Sequence, residues 1–140
     1  MAGKYKTLVH EWFNEVWNKR DATAIDRLLG ARTLVHGITD AKGGPVRGPA
    51  GFKEFHRQFL EAFPNIKVKV LATVSEGDQI AARCVVTGKH TGTSLGFPAT
   101  HKEVEITGMC LARIKKGKIV EAWNNFDFLS LHQQLGTVKL

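Results

Sequence analysis

Four long runs rich in β-branched and apolar residues fill the second half of the chain, at 66–76, 79–90, 102–115 and 118–127. They are joined by EGDQ at 76–79, by the longer HTGTSLGFPATH at 90–101, and by KKGK at 115–118. Successive strands of this length on such short turns form an antiparallel meander. A sheet of that kind has to curve over something, and the first half of the chain supplies it.

Residues 4–19 carry Tyr5, Leu8, Val9, Trp12, Phe13, Val16 and Trp17, the stripe of an amphipathic helix. Asp21 is placed as the N-cap of a short second helix to about Leu29, which Gly30 ends. RTLVHGI at 32–38 has strand character, and AKGGPVRGP at 41–49 is a loop whose Pro49 suits a first helical position. The helix that follows, 50–63, gathers Phe52, Phe55, Phe59 and Phe63 within an arc of about 80° before Pro64 stops it. A last helix over 128–135 ends at Gly136. Helices grouped before an antiparallel sheet give an α+β fold with a conical interior. With 140 residues, no internal repeat and no linker, the chain is expected to be one domain spanning 1–140.

The net charge of +7 raises the question of an acidic partner. The charge is dispersed: residues 1–70 hold 12 Lys and Arg against 7 Asp and Glu, and residues 71–140 the remaining 8 against 6. The aromatics sit on apolar helix faces rather than among the cations, so no nucleic-acid partner is expected. No stretch approaches the ~20 apolar residues that span a bilayer, so no membrane partner is expected either. The first twenty residues lack the apolar core of a signal peptide. Cys84 and Cys110 lie in apolar runs without C-x-x-C spacing, which reads as two reduced, buried thiols of a cytoplasmic chain.

Gly92-Thr93-Ser94-Leu95-Gly96 matches G-x-S-x-G, but it lies between antiparallel strands and runs into Phe97-Pro98. A nucleophile elbow needs a strand before it and a helix after it. No glycine-rich phosphate cradle is present. No two of the six histidines are closer than eleven positions, so neither a metal site nor a cofactor is expected. His56 falls within the phenylalanine face of its helix and points inward, as a bonded core histidine or as a polar group lining a pocket. His36, alternating with Leu34 and Ile38, carries the same ambiguity. On the last strand, alternation puts Glu121, Trp123, Asn125 and Asp127 on one face and Val120, Ala122, Asn124 and Phe126 on the other. The first set suggests a polar patch in an apolar interior. Asp127 has two competing roles, a catalytic carboxylate or the N-cap of the helix it precedes.

Several segments together resemble the SnoaL-like polyketide cyclase family over about residues 5–136. They are Val16-Trp17-Asn18 with Asp21, Ala62-Phe63-Pro64-Asn65, Gly77-Asp78, Ala82-Arg83, Gly88-Lys89-His90-Thr91-Gly92, Leu95-Gly96-Phe97-Pro98, Gly117 to Trp123, Asp127, and Leu135-Gly136. Asn65 and His101 stand where that family often has Asp and Gly. The resemblance implies a cone-shaped α+β barrel of the nuclear transport factor 2-like superfamily, forming a homodimer or homotetramer. It also implies an acid/base carboxylate, used without a metal, that closes rings by intramolecular aldol condensation. The family's carboxylate falls on Asp127. The expected function is therefore aldol-cyclase or isomerase chemistry on a small hydrophobic carbonyl compound, with Asp127 as base and then acid. Trp123, Phe52 and Phe59 would hold the ring system, and Asn125, His36, His56 or His90 would donate to the enolate. The alternatives are a non-catalytic hydrophobic ligand-binding module and an oligomerisation module of the same fold.

Overall fold

The computed structural model describes residues 2–40 and 42–139. The first helix, α1 (Ala2–Glu11), continues without a break into a wider π-helical stretch, Trp12–Asn18, in which Lys19 N–H reaches back to the Asn14 carbonyl at 2.8 Å. The stripe expected from the sequence is the buried one: Val9, Trp12, Phe13, Val16 and Trp17 all face inward. Asn18 ends the stretch by bonding both ways to the backbone of Val68, donating to its carbonyl at 2.9 Å and accepting its N–H at 2.7 Å. The side chain thereby behaves as one more residue of a neighbouring strand. The N-cap of helix α2 (Thr23–Leu28) is Ala22 rather than Asp21, which stands one residue earlier and accepts the Thr23 N–H on its carboxylate at 2.9 Å.

Six strands follow: β1 (Leu29–Thr39), β2 (Pro45–Arg47), β3 (Lys67–Glu76), β4 (Gln79–Lys89), β5 (Glu103–Lys115) and β6 (Lys118–Phe126). Helix α3 (Gly48–Ala62) lies between β2 and β3, and α4 (Phe128–Leu135) closes the chain. The meander β3–β4–β5–β6 is antiparallel throughout, as its short turns require. The strand order is β2-β1-β6-β5-β4-β3, a curved, open sheet. Two features differ from the sequence reading. The loop assigned to 41–49 contains the short edge strand β2, pinned by the buried Val46. The sheet is also mixed, because β1 joins β6 in parallel. That pairing links segments far apart in sequence, so no short turn dictates its direction.

Strand β5 shows how the sheet is layered. Val104, Ile106, Gly108, Cys110, Ala112 and Ile114 alternate inward, while Glu103, Glu105, Thr107 and Met109 point to solvent. The helices cover only the concave face. Gly108 pairs with Phe126 of β6, and a Cβ on Gly108 would fall 2.1 Å from the Phe126 ring. The missing side chain is the space into which that ring folds. His101 adopts φ +59, the left-handed region that favours glycine, where the family resemblance places glycine.

Substituting Gly108→Ala should displace the Phe126 ring and lower the unfolding free energy by about 1–3 kcal/mol. Urea denaturation measures this directly. An unchanged midpoint would show that the ring does not depend on that space.

Candidate functional site

Between the helices and the concave face of the sheet lies a cavity of about 110 Å³. Its roof is aromatic: Trp12, Phe13 and Trp17 come from the first helical segment, and Phe52, Phe55 and Phe59 from α3. These rings brace one another, Trp12 on Phe52 at 5.0 Å and Phe55 on Phe59 at 4.7 Å between centroids. Toward the sheet the lining is aliphatic, with Val35, Ile38, Val68, Val86, Ile106 and Ile119, and the smaller Cys110, Ala112 and Ala122 lie beside Asn124. Phe126 and Phe128 line one end, the latter 6.0 Å from Phe59. Among the described residues Asn124 is the only lining residue whose side chain carries oxygen. Its Nδ2 donates to the His36 carbonyl at 3.1 Å.

The structure distributes the candidate residues as follows. Phe52 and Phe59 line the cavity. His56 is buried behind them under the Trp17 ring, and its Nε2–H donates to the Val16 carbonyl at 2.6 Å. His56 is thus the bonded core histidine of the two readings. His90 is fully buried between Phe63 and Phe97, with Nδ1 accepting the Thr100 N–H at 3.0 Å. Neither histidine reaches the cavity lining.

His36, Trp123 and Asn125 lie on the other face of the sheet from the cavity. There Trp123 stacks on His36 at 5.4 Å, and His36 Nε2 meets Glu121 at 2.8 Å. Arg113 reaches the same carboxylate at 3.3 Å. Together, first His36 and then Arg113 hold the Glu121 carboxyl below the usual carboxylate range. Alternation grouped these residues on one face, but that face is the convex one. The apolar set Ala122–Phe126 takes the interior, because only the concave side is covered by helices. Asn124 was therefore the informative polar residue of β6, and its signal was being the one amide on an otherwise apolar face.

Asp127 caps α4. Its Oδ1 accepts the Ser130 N–H at 3.0 Å and its own N–H donates to the Thr107 carbonyl at 3.1 Å. The carboxylate is exposed and outside the lining, although its neighbours Phe126 and Phe128 are both part of it. Ser94 of the G-x-S-x-G run donates to the Gln58 carbonyl at 2.5 Å, so it is tied to α3. Burial pushes the free thiols of Cys84 and Cys110 up to about 11 and about 12. Among the described residues no three His, Cys, Asp or Glu side chains are grouped to hold a metal ion, and no helix is long and apolar enough to cross a membrane.

The model of the SnoaL-like polyketide cyclase family matches residues 7–135. The chain belongs to that family. None of the curated proteins matches it. Among solved structures, IdmH of Streptomyces antibioticus, a candidate polyketide cyclase, is similar at 28% identity and TM-score 0.81, covering 94% of this chain and 97% of that one. AclR of Streptomyces galilaeus, a candidate hydroxylase, is similar at 26% identity and TM-score 0.83, covering 100% and 89%. TsrD of Streptomyces laurentii shares the fold at TM-score 0.83 and 23% identity, with 97% of each chain covered. Family and neighbours together make this a small-molecule enzyme-type fold.

The two buried histidines give the family member a pH signature. Burial outweighs the Val16 bond and holds His56 below the ordinary histidine value of 6.5. Burial, and then the neighbouring His101, do the same to His90. The unfolded chain takes up these protons near pH 6.5 while the folded chain refuses them, so stability is full above that pH and falls as the pH drops below it. The urea midpoint should therefore decline from pH 7 to pH 5, above the range where carboxylates titrate. His56→Gln keeps a neutral donor for Val16 and should flatten that decline. An identical decline in the variant would mean that His56 protonates in the native state.

Proposed function

We propose that the cavity is a binding site for a flat, hydrophobic small molecule, and that a ring system is what it holds. The observation that carries this reading is the composition of the walls: six aromatic side chains above, aliphatic and small residues below, and one amide. A void of this size is of the order that accepts a single aromatic ring. Larger substrates would extend past the half-buried Phe55, Phe59 and Phe128. The membership of the family, with its cyclase-like and hydroxylase-like neighbours, supports a small organic substrate.

A second reading adds chemistry at the Phe126–Phe128 end, and the position of Asp127 between two lining residues favours it. There Asp127 would take a proton from the carbon next to a substrate carbonyl. It would return that proton to the oxygen of the aldol product, or to carbon in an isomerisation, and end unchanged. To do so the carboxylate has to leave the Ser130 N–H.

One probe tests both readings. The α-proton exchange of 1-indanone in D₂O, followed by NMR, reads the chemistry, and quenching of Trp12 and Trp17 fluorescence reads binding. Wild type should bind the ketone and accelerate its exchange. Asp127→Asn retains an N-cap residue, so its stability should be preserved while exchange falls by about 10²–10⁴. Asp127→Ala should also lose about 1 kcal/mol of stability with the cap. Binding with equal exchange in wild type and Asp127→Asn would retire the acid/base reading and keep the ligand site.

A further inference from the structure

We infer that Asn124 is a specificity residue that selects a hydroxyl group on the bound ring, the substrate class being a flat apolar ring with a phenolic or enolic OH. This rests on the cavity being the ligand site. Among the described residues Asn124 is the only oxygen-bearing side chain in the lining, so it is the only strong side-chain acceptor a buried ligand can meet there.

The amide cannot turn freely. Its Nδ2 spends one N–H on the His36 carbonyl at 3.1 Å, and the flipped amide would set two oxygens against each other. That leaves Oδ1 and the second N–H. Among the described residues no protein donor is bonded to Oδ1. An acceptor fixed in place with its lone pairs unspent, in an apolar void, favours a ligand that brings a donor.

The backbone is shaped for this contact. The pairing of β1 with β2 shifts register between Val35 and Thr39, and Gly37 within that bulge has φ +87. A Cβ at Gly37 would stand 1.8 Å from the Asn124 backbone oxygen, so β1 passes too close for any side chain. The close approach is what presents the His36 carbonyl to the amide. On the other side, Asn124 pairs with Cys110, and Ala112 and Ala122 complete a patch of small residues beside it. Room for a ring therefore lies next to the fixed acceptor.

Phenol and toluene have nearly the same shape and differ in the donor, so the test compares their dissociation constants by calorimetry. The quantity read is the ratio of the toluene constant to the phenol constant, in wild type and in Asn124→Leu. Replacing the amide should lower that ratio about tenfold by weakening phenol while leaving toluene bound. Because Asn124→Leu also removes the partner of the His36 carbonyl, wild type provides an independent measurement. The side-chain amide NMR resonance of Asn124 should shift further with phenol than with toluene, whose ring alone displaces it. Toluene binding with an unchanged ratio, or equal amide shifts with both ligands, overturns the role of Asn124 alone. Failure of both ligands to bind wild type overturns the ligand site beneath it.

Discussion

A mismatch in side-chain size across the interior governs the rest of this structure. The helices present the rings of Trp12, Phe13, Trp17, Phe52, Phe55 and Phe59, whereas the sheet offers only aliphatic side chains such as Val35, Val86 and Ile106 and, smallest of all, Cys110, Ala112 and Ala122. Protein interiors normally pack to crystal density, and large groups over small ones would close by moving the helices down. Here the rings meet edge to face, Trp12 on Phe52 and Trp17 on both Phe52 and Phe55, so the roof is self-supporting. Apolar walls left without a packing partner forgo contact energy, and an apolar ligand that fills the space restores it.

Two polar contacts fix the height of that roof. Widening of the first helix at Trp12–Asn18 leaves the Val16 carbonyl for His56, which ties α3 to the helix it packs against. Asn18 ties the end of the same segment to Val68 of β3. Both are buried or half-buried bonds to backbone groups that would otherwise be costly to leave unpaired. The second also occupies the open edge of β3, where an unpaired strand invites association with another chain. The histidine that falls on the phenylalanine face is therefore part of the frame that keeps the cavity open, although it does not touch the cavity.

The sequence carried the elements but not the orientation of one strand face. Stripes such as Val9–Trp12–Phe13–Val16 and stops such as Pro64 and Gly136 are local signals, and the observed boundaries fall within a few residues of them. Side-chain alternation is local too, so it sorted Glu121, Trp123 and Asn125 correctly from Ala122, Asn124 and Phe126. Which set faces the helices is not local. It depends on β1 joining β6 in parallel and bringing His36 beside Glu121, and on Arg113 arriving from β5. Those partners make the polar set satisfied on a solvent face, with no need of a buried site. The π-helical widening and the bulge at Gly37 were likewise illegible, because each is set by what packs against it.

The proposed function separates proton chemistry and ligand binding in space. Among the described residues the only titratable side chain in the cavity lining is Cys110, and burial pushes its thiol up to about 12, so it stays neutral. A carbonyl buried deep in the void would meet the Asn124 amide and no acid or base. On the proposed reading, any proton transfer takes place at the Phe126–Phe128 end, where Asp127 stands. Its capping bond is worth about 1 kcal/mol, while a positioned general base contributes on the order of 10²–10⁴ in rate, or about 3–5 kcal/mol. The cap is thus weak enough to be given up in the reacting complex. A substrate that uses both groups must be longer than one ring: its hydroxyl-bearing ring lies against Asn124, and its reactive carbonyl sits beyond the phenylalanines, within reach of the carboxylate.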